Sequence, residues 1–178
     1  MDDLFEEYES LKRDNKLSDK LLKKISSIKV FDPACGSGNF LMVCFKELKK
    51  LENSIKSYCN DNGIEFENKE YVTTENFYGI EYNYIATEVC RIGMAFTSLK
   101  LGEPLKSEIV LPIKTICNGK ALLMDWEAFC PKTSMTFIVG NPLYKGAHSF
   151  DAEQQRELRT VYAEEISNGY KIGDLDYA

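Results

Sequence analysis

The run Val30-Phe31-Asp32-Pro33-Ala34-Cys35-Gly36-Ser37-Gly38-Asn39-Phe40-Leu41 limits the folds open to this chain more than any other stretch. An apolar segment stops at an acid, a turn with two glycines follows, and apolar residues then recur at helical spacing. That is the pattern of a strand, a tight turn and a helix. Glycine lets a backbone come close to a ligand, and the first N–H groups of a helix have no intrahelical acceptor, so such a turn suits an anionic or polar small molecule. Two further apolar runs also end on polar residues. Phe77 to Ile80 stops at Glu81, and Thr136 to Val139 runs into Gly140-Asn141-Pro142-Leu143-Tyr144. In open α/β sheets ligands gather outside the carboxyl ends of the strands, so three such ends point to one site.

Helical patterns lie between the strands. From Gly38 to about Tyr58 the residues Leu41, Cys44, Phe45, Leu48, Leu51 and Ile55 fall on one face, with Lys46, Lys49, Lys50 and Lys56 read as largely solvated. Ile85, Ala86, Val89, Cys90, Met94, Ala95 and Leu99 trace a second helix, punctuated by Gly102-Glu103-Pro104. Residues 2 to 27 read as one or two amphipathic helices with a break around Asp14-Asn15. Ile64 to Thr74 reads as a loop or edge hairpin, Ile113 to Cys117 as a third strand ending at Asn118, and Asp125-Trp126 as the start of a short helical piece. The tail from Phe150 to Ile166 is polar with helical stretches. Alternating strands and helices predict an α/β fold with a doubly wound, mostly parallel sheet and right-handed crossovers. A helical lead-in would cover residues 1–27 and the sheet domain residues 28–178. Four strands are few for such a sheet, so the domain is expected to be incomplete in this chain.

With 178 residues, 44% of them hydrophobic, the chain can bury a core of its own. A net charge of -6 argues against this stretch gripping a polyanion by itself, because phosphate binding rests on Lys and Arg; contact with nucleic acid would come from a local patch or from regions outside it. The six cysteines form no CxxC pair and His148 is the only histidine, which leaves little for a metal centre or a histidine-based triad and favours reduced, buried thiols. No stretch has the apolar length of a membrane span, and Met1-Asp2-Asp3 does not open a signal peptide, so a cytoplasmic protein is expected.

The glycine pattern lacks the third glycine of GxGxxG and the Gly-Lys-Ser/Thr ending of a P-loop, which points to a nucleoside ligand without a pyrophosphate. An acid closing the second strand of such a unit is placed to accept hydrogen bonds from ribose hydroxyls, and Glu81 fits that place. The plainer alternative is an exposed acid in a turn. Tyr82 can pack on an adenine face or serve as a rim aromatic.

Asp32-Pro33-Ala34-Cys35-Gly36-Ser37-Gly38-Asn39-Phe40-Leu41 resembles the S-adenosylmethionine-binding motif of amino-methylating DNA methyltransferases, and Asn141-Pro142-Leu143-Tyr144 resembles their Asn-Pro-Pro-Tyr/Phe catalytic motif. Asp125-Trp126-Glu127 and Gly173-Asp174-Leu175-Asp176-Tyr177 are similar to the MmeI-like type IIG restriction–modification enzymes, which join nuclease, N6-adenine methyltransferase and target-recognition parts. The resemblance runs from about Ser27 to Ala178. It implies a Rossmann-like class I methyltransferase fold and methylation of adenine N6 in DNA. It also implies that Asp32, Ala34, Cys35, Gly36 and Gly38 hold the methionine end of S-adenosylmethionine while Glu81, Tyr82 and Asn118 surround its nucleoside. Asn141 and the Pro142 carbonyl would accept hydrogen bonds from the adenine amine, and Tyr144 would stack on the base.

Two residues depart from the family pattern. Leu143 stands where the family has a second proline, which frees φ there. Lys120 stands where an acid or amide usually binds the cofactor's adenine amine, and a lysine offers only donors, which leaves Asn118 as the substitute acceptor. Two other readings follow: a protein-glutamine methyltransferase, whose family shares the Asn-Pro-Pro-Tyr motif, and a degenerate module that serves as a scaffold.

Overall fold

The structure of the chain is a computed structural model that describes residues 2–13, 19–101, 113–141 and 151–169. Among the described residues four strands form one parallel sheet: β1 (Lys29–Asp32), β2 (Phe77–Glu81), β3 (Ile116–Asn118) and β4 (Thr136–Ile138), in the spatial order β3-β2-β1-β4. Val30 pairs with Phe77 on one side and with Phe137 on the other. The order reverses at β1, because the chain steps outward through β2 and β3 before returning to β1's other edge as β4. The crevice between the ends of β1 and β4 is therefore the topological switch point of the sheet.

Residue alternation divides the core into two layers. Val30, Phe77 and Ile116 point to the face covered by α3 (Asn39–Asp61), whose Leu41, Phe45, Leu48 and Ile55 are buried against them. Helices α1 (Asp2–Arg13) and α2 (Asp19–Ser26) add Leu4, Tyr8, Leu22 and Ile25 to the same core, and α4 (Tyr84–Lys100) adds Cys90 and Met94. On the opposite face Phe31 and Ile80 lie under the 3-10 turn Ala121–Leu123 and α5 (Trp126–Phe129), with Trp126 edge-on to Phe31 at 5.2 Å between ring centres. Asp125 caps α5 through the N–H groups of Glu127 and Ala128, both at 3.0 Å. Two further helices, α6 (Ala152–Val161) and α7 (Ala163–Ser167), follow β4.

The α/β class, the parallel sheet and its four strands are as the sequence predicts. The third strand is shorter than expected, starting at Ile116 rather than Ile113. Residues 64–73 form no strand, and a 3-10 turn at Thr74–Asn76 leads into β2. The Asn76 amide donates to the Ser26 and Ile28 carbonyls at 3.1 and 2.7 Å, which ties the start of β2 to the chain entering β1. The expected break around Asp14-Asn15 and the Gly102-Glu103-Pro104 punctuation lie outside the described residues.

Two helix faces differ from expectation. Lys49, read as solvated, is 1% exposed: its ammonium bonds the Val72 carbonyl and Glu52 at 3.0 Å each, and also Glu70. Glu52 accepts from the Tyr71 and Val72 N–H groups at 2.9 and 3.1 Å and pairs with Lys56 at 2.7 Å. Burial pushes the Glu52 carboxyl up, but these hydrogen bonds outweigh it and hold the group below its ordinary value. On α4, Thr87, Cys90, Met94 and Thr97 face the core, while Ile85, Val89 and Leu99 are exposed together with Ile92 and Phe96. Hydrophobic spacing gave the helix but not its inward face, because two threonines supply part of that face.

Candidate active site

The loop after β1 is held by hydrogen bonds to its neighbours. Asp32 Oδ1 accepts from the Ala34 N–H at 3.0 Å, Cys35 N–H donates to the Ile80 carbonyl at 3.0 Å, and Gly38 N–H donates to the Cys35 carbonyl at 2.8 Å. Gly38 is the N-cap of α3 with φ +85°, and a Cβ there would lie 2.4 Å from Cys90 Sγ. Only glycine combines that left-handed conformation with that approach. With no side-chain cap at α3 and no acid in its first turn, the opening N–H groups of the helix face the loop.

Glu81, at the end of β2, fastens two loops at once. Its Oε2 accepts from the Gly36 N–H at 2.9 Å and its Oε1 from the Asn83 N–H at 2.7 Å. Asn83 caps α4 through the Ala86 N–H at 3.1 Å. The side-chain amide of Asn118, at the end of β3, donates to the Glu81 and Tyr82 carbonyls at 2.8 Å each, and Thr87 Oγ1 donates to the Asn83 carbonyl at 3.0 Å. Tyr82 stands at this corner with its side chain 66% exposed. Asn83 could have been found from the sequence as a capping residue just before an apolar periodic run. Thr87 gives no such signal.

The end of β4 reaches the same rim. Val139 N–H donates to the Phe31 carbonyl at 2.9 Å, and Gly140 follows with φ +144°. A Cβ on Gly140 would lie 2.5 Å from Asp32 Oδ1, so the backbone that presents Asn141 is seated against the Asp32 carboxylate. Asn141 itself is exposed. The structure thus brings Asp32, Ala34, Cys35, Gly36, Gly38, Glu81, Tyr82, Asn118 and Asn141 to the carboxyl ends of the strands. Pro142 and Tyr144, and with them Leu143, lie outside the described residues.

The electrostatics of the rim are acidic. Asp32 is 1% exposed, and burial, opposed by the Ala34 N–H and reinforced by Glu81, raises its carboxyl above the ordinary value. Among the described residues no lysine or arginine pairs with Asp32 or Glu81, so a cationic ligand would relieve both. Cys35 is no nucleophile: hydrogen bonding with Cys90 and burial push its thiol up. All six cysteines are free thiols, with Cys35, Cys59, Cys90 and Cys130 buried. No helix among the described residues is long and apolar enough to cross a membrane.

Lys120 does not turn into this corner alone. Its ammonium bonds Glu153 and, at 2.5 Å, Glu157 on α6, and lies 5.6 Å from the centre of the Tyr82 ring. These two carboxylates raise the lysine above its ordinary value. Sequence reading gave no sign of this cluster, since 33 and 37 residues separate the partners.

Comparison with known proteins agrees with the α/β fold. The family model described as "MmeI, DNA-methyltransferase domain" matches residues 7–178. The chain is 32% identical over 170 residues to DNA methyltransferase A of Bacillus subtilis (strain 168), covering 89% of this chain and 19% of that protein. It is 24% identical over 115 residues to a protein of Methanocaldococcus jannaschii whose name proposes a type II restriction enzyme and methyltransferase, covering 63% of this chain and 10% of the relative. A solved structure of the Type IIL restriction–modification enzyme MmeI in complex with DNA superposes with a TM-score of 0.77 at 27% identity, covering 98% of this chain and 24% of that one. The chain therefore spans about a fifth of DNA methyltransferase A and about a quarter of the MmeI chain. It belongs to the MmeI DNA-methyltransferase domain family.

Proposed function

We propose that this domain binds S-adenosylmethionine at the β1–β2–β3 corner and methylates adenine N6 in DNA as the modification part of a restriction–modification enzyme. One observation carries the reading: the Asp32 loop, Glu81 and the Asn141 backbone meet at a single rim, with Gly140 pressed against Asp32. A donor held over the glycine loop would face a base held at Asn141.

The residues fit such a cofactor. The left-handed Gly36 and Gly38 leave the loop bare at those two positions, and the acids of the rim suit a ligand carrying ammonium and sulfonium charges. Glu81 has one backbone N–H on each oxygen, and a carboxylate offers about four acceptor positions, so it can take ribose hydroxyls without releasing either loop. The bound cofactor supplies an electrophilic methyl group on sulfur.

An exocyclic adenine amine is a weak nucleophile because its lone pair is delocalised into the ring. Acceptors on both its N–H bonds, the Asn141 side chain and the Pro142 carbonyl, favour the pyramidal form that attacks in line. On taking the methyl group the amine would give up one proton to solvent, with Asn141 and the Pro142 carbonyl holding the nitrogen in place. The target base has to leave the duplex to reach this rim, and Tyr144 is assigned to stack on it, a contact worth about 1–3 kcal/mol per base. DNA contacts beyond the base, a nuclease and target recognition fall to parts of a longer polypeptide, with the cytoplasm as its compartment.

The test is calorimetric titration with S-adenosylmethionine, followed by transfer of labelled methyl groups to duplex DNA. Glu81→Ala is expected to weaken cofactor binding about 10- to 100-fold, the worth of hydrogen bonds to a charged group. Asn141→Ala is expected to bind cofactor normally and transfer nothing. Wild-type transfer to protein glutamine rather than DNA, or no cofactor binding at all, would overturn the proposal.

A further inference from the structure

We infer that Lys120 is a positioning residue that clasps α6 to the nucleoside corner of the site, so that one ammonium group holds both that corner and the first described helix after Asn141. The inference rests on the S-adenosylmethionine reading above. Lys120 follows β3 two residues after Asn118, whose amide fixes the Glu81–Tyr82 backbone. Its side chain reaches across to Glu153 and Glu157, four residues apart and so on one face of α6. Glu157 is only 6% exposed and the neighbouring Leu158 is fully buried, so this face of α6 is docked. The same ammonium lies over the Tyr82 ring, within cation–π reach, while that ring stays largely open to a planar ligand.

This arrangement gives the departure from the family pattern a function. A lysine cannot accept a hydrogen bond from an adenine amine, and this one is engaged with carboxylates of another element. It acts through Tyr82 and through α6, the first described element after Asn141. Releasing it frees the ring and the helix together, and the ring stands at the corner assigned to the nucleoside.

The experiment compares wild type, K120M, K120R, E157Q and E153Q in the full chain. Affinity for S-adenosylmethionine is read by calorimetry, and thermal unfolding is followed with and without saturating cofactor. A clasp predicts that K120M and E157Q each weaken affinity at least about fivefold, the lower end of coupling between linked sites. K120R keeps wild-type affinity, and the stabilisation that cofactor adds shrinks in both weakened variants. Glu153 is exposed, so E153Q provides a variant that leaves the core intact should E157Q fail to fold; it is expected to fall between wild type and K120M. If K120M binds weakly while both glutamate variants bind like wild type, Lys120 touches the ligand directly and the clasp is refuted. If all bind like wild type, the ion pairs serve stability alone and it is likewise refuted. A wild type that does not bind cofactor would overturn the reading beneath the clasp, and the clasp with it.

Discussion

Gly38→Ala should be far more damaging than Gly36→Ala, although both glycines have positive φ and sit two residues apart. At Gly36 the space around a new Cβ is open, so alanine there meets only the cost of the left-handed backbone, about 1–2 kcal/mol. At Gly38 the same cost applies, and the new methyl lies 2.4 Å from Cys90 Sγ, 3.3 Å from its Cβ and 3.5 Å from its Cα. The sulfur can shift, but the other two atoms belong to α4, itself packed on the sheet. Overpacking of this kind costs about 1–3 kcal/mol. The sum for Gly38→Ala is about 2–5 kcal/mol, or about 5–15 °C in unfolding temperature for a domain of this size. Urea unfolding of both variants, with Cys90→Ala and the double variant to complete a cycle, measures the terms separately. In the double variant the 2.4 Å contact with the sulfur should vanish, while the closer fit to the Cβ and Cα of position 90 and the backbone term remain. A Gly38→Ala variant no less stable than Gly36→Ala, or a cycle with no coupling to Cys90, would refute the reasoning.

Two further outcomes follow from the buried carboxylates. Asp32→Asn should raise the unfolding temperature at neutral pH, because a carboxyl held above its ordinary value binds more protons folded than unfolded and so loses stability as pH rises through that window; the gain should fade toward pH 4, and a scan showing it unchanged there would contradict the assignment. Glu52→Gln should cost about 3–5 kcal/mol in urea unfolding by leaving the buried Lys49 short of charge. In the wild type, Glu52 is lowered, so its share of stability is present above pH 4.5 and lost as the solution is made more acidic; a variant with the same acid profile as wild type would exclude it.

The strand ends were legible because each is a short apolar run closed by an acid, an amide or glycine, and β2 matches its predicted bounds from Phe77 to Glu81. The glycine loop was legible for the same local reason. What local pattern could not give is partner choice across the fold. Lys49 read as a solvated cation because helical spacing alone does not show that Glu52, three residues on, is buried beside it, and Lys120 read only as a departure from the family pattern because its partners Glu153 and Glu157 lie more than thirty residues away. The inward face of α4 was hidden because Thr87 and Thr97 are polar by type yet buried by position, while Ile85, at 73% exposure, has the opposite mismatch. The seating of Gly140 on Asp32 joins residues more than a hundred positions apart, and only the sheet order reveals it.

The central place of β1 has a consequence for how the chain acquires its shape during synthesis. Val30 emerges before either partner, so one of its ladders awaits Phe77 and the other awaits Phe137. The loop closure for the second is the longer, and pairings so remote in sequence slow folding. Until the ribosome has delivered β4, Phe31 lacks the neighbour that completes its backbone bonding, and the Asp32 turn has nothing on its far flank. Maturation of the rim is therefore tied to β4 rather than to β1.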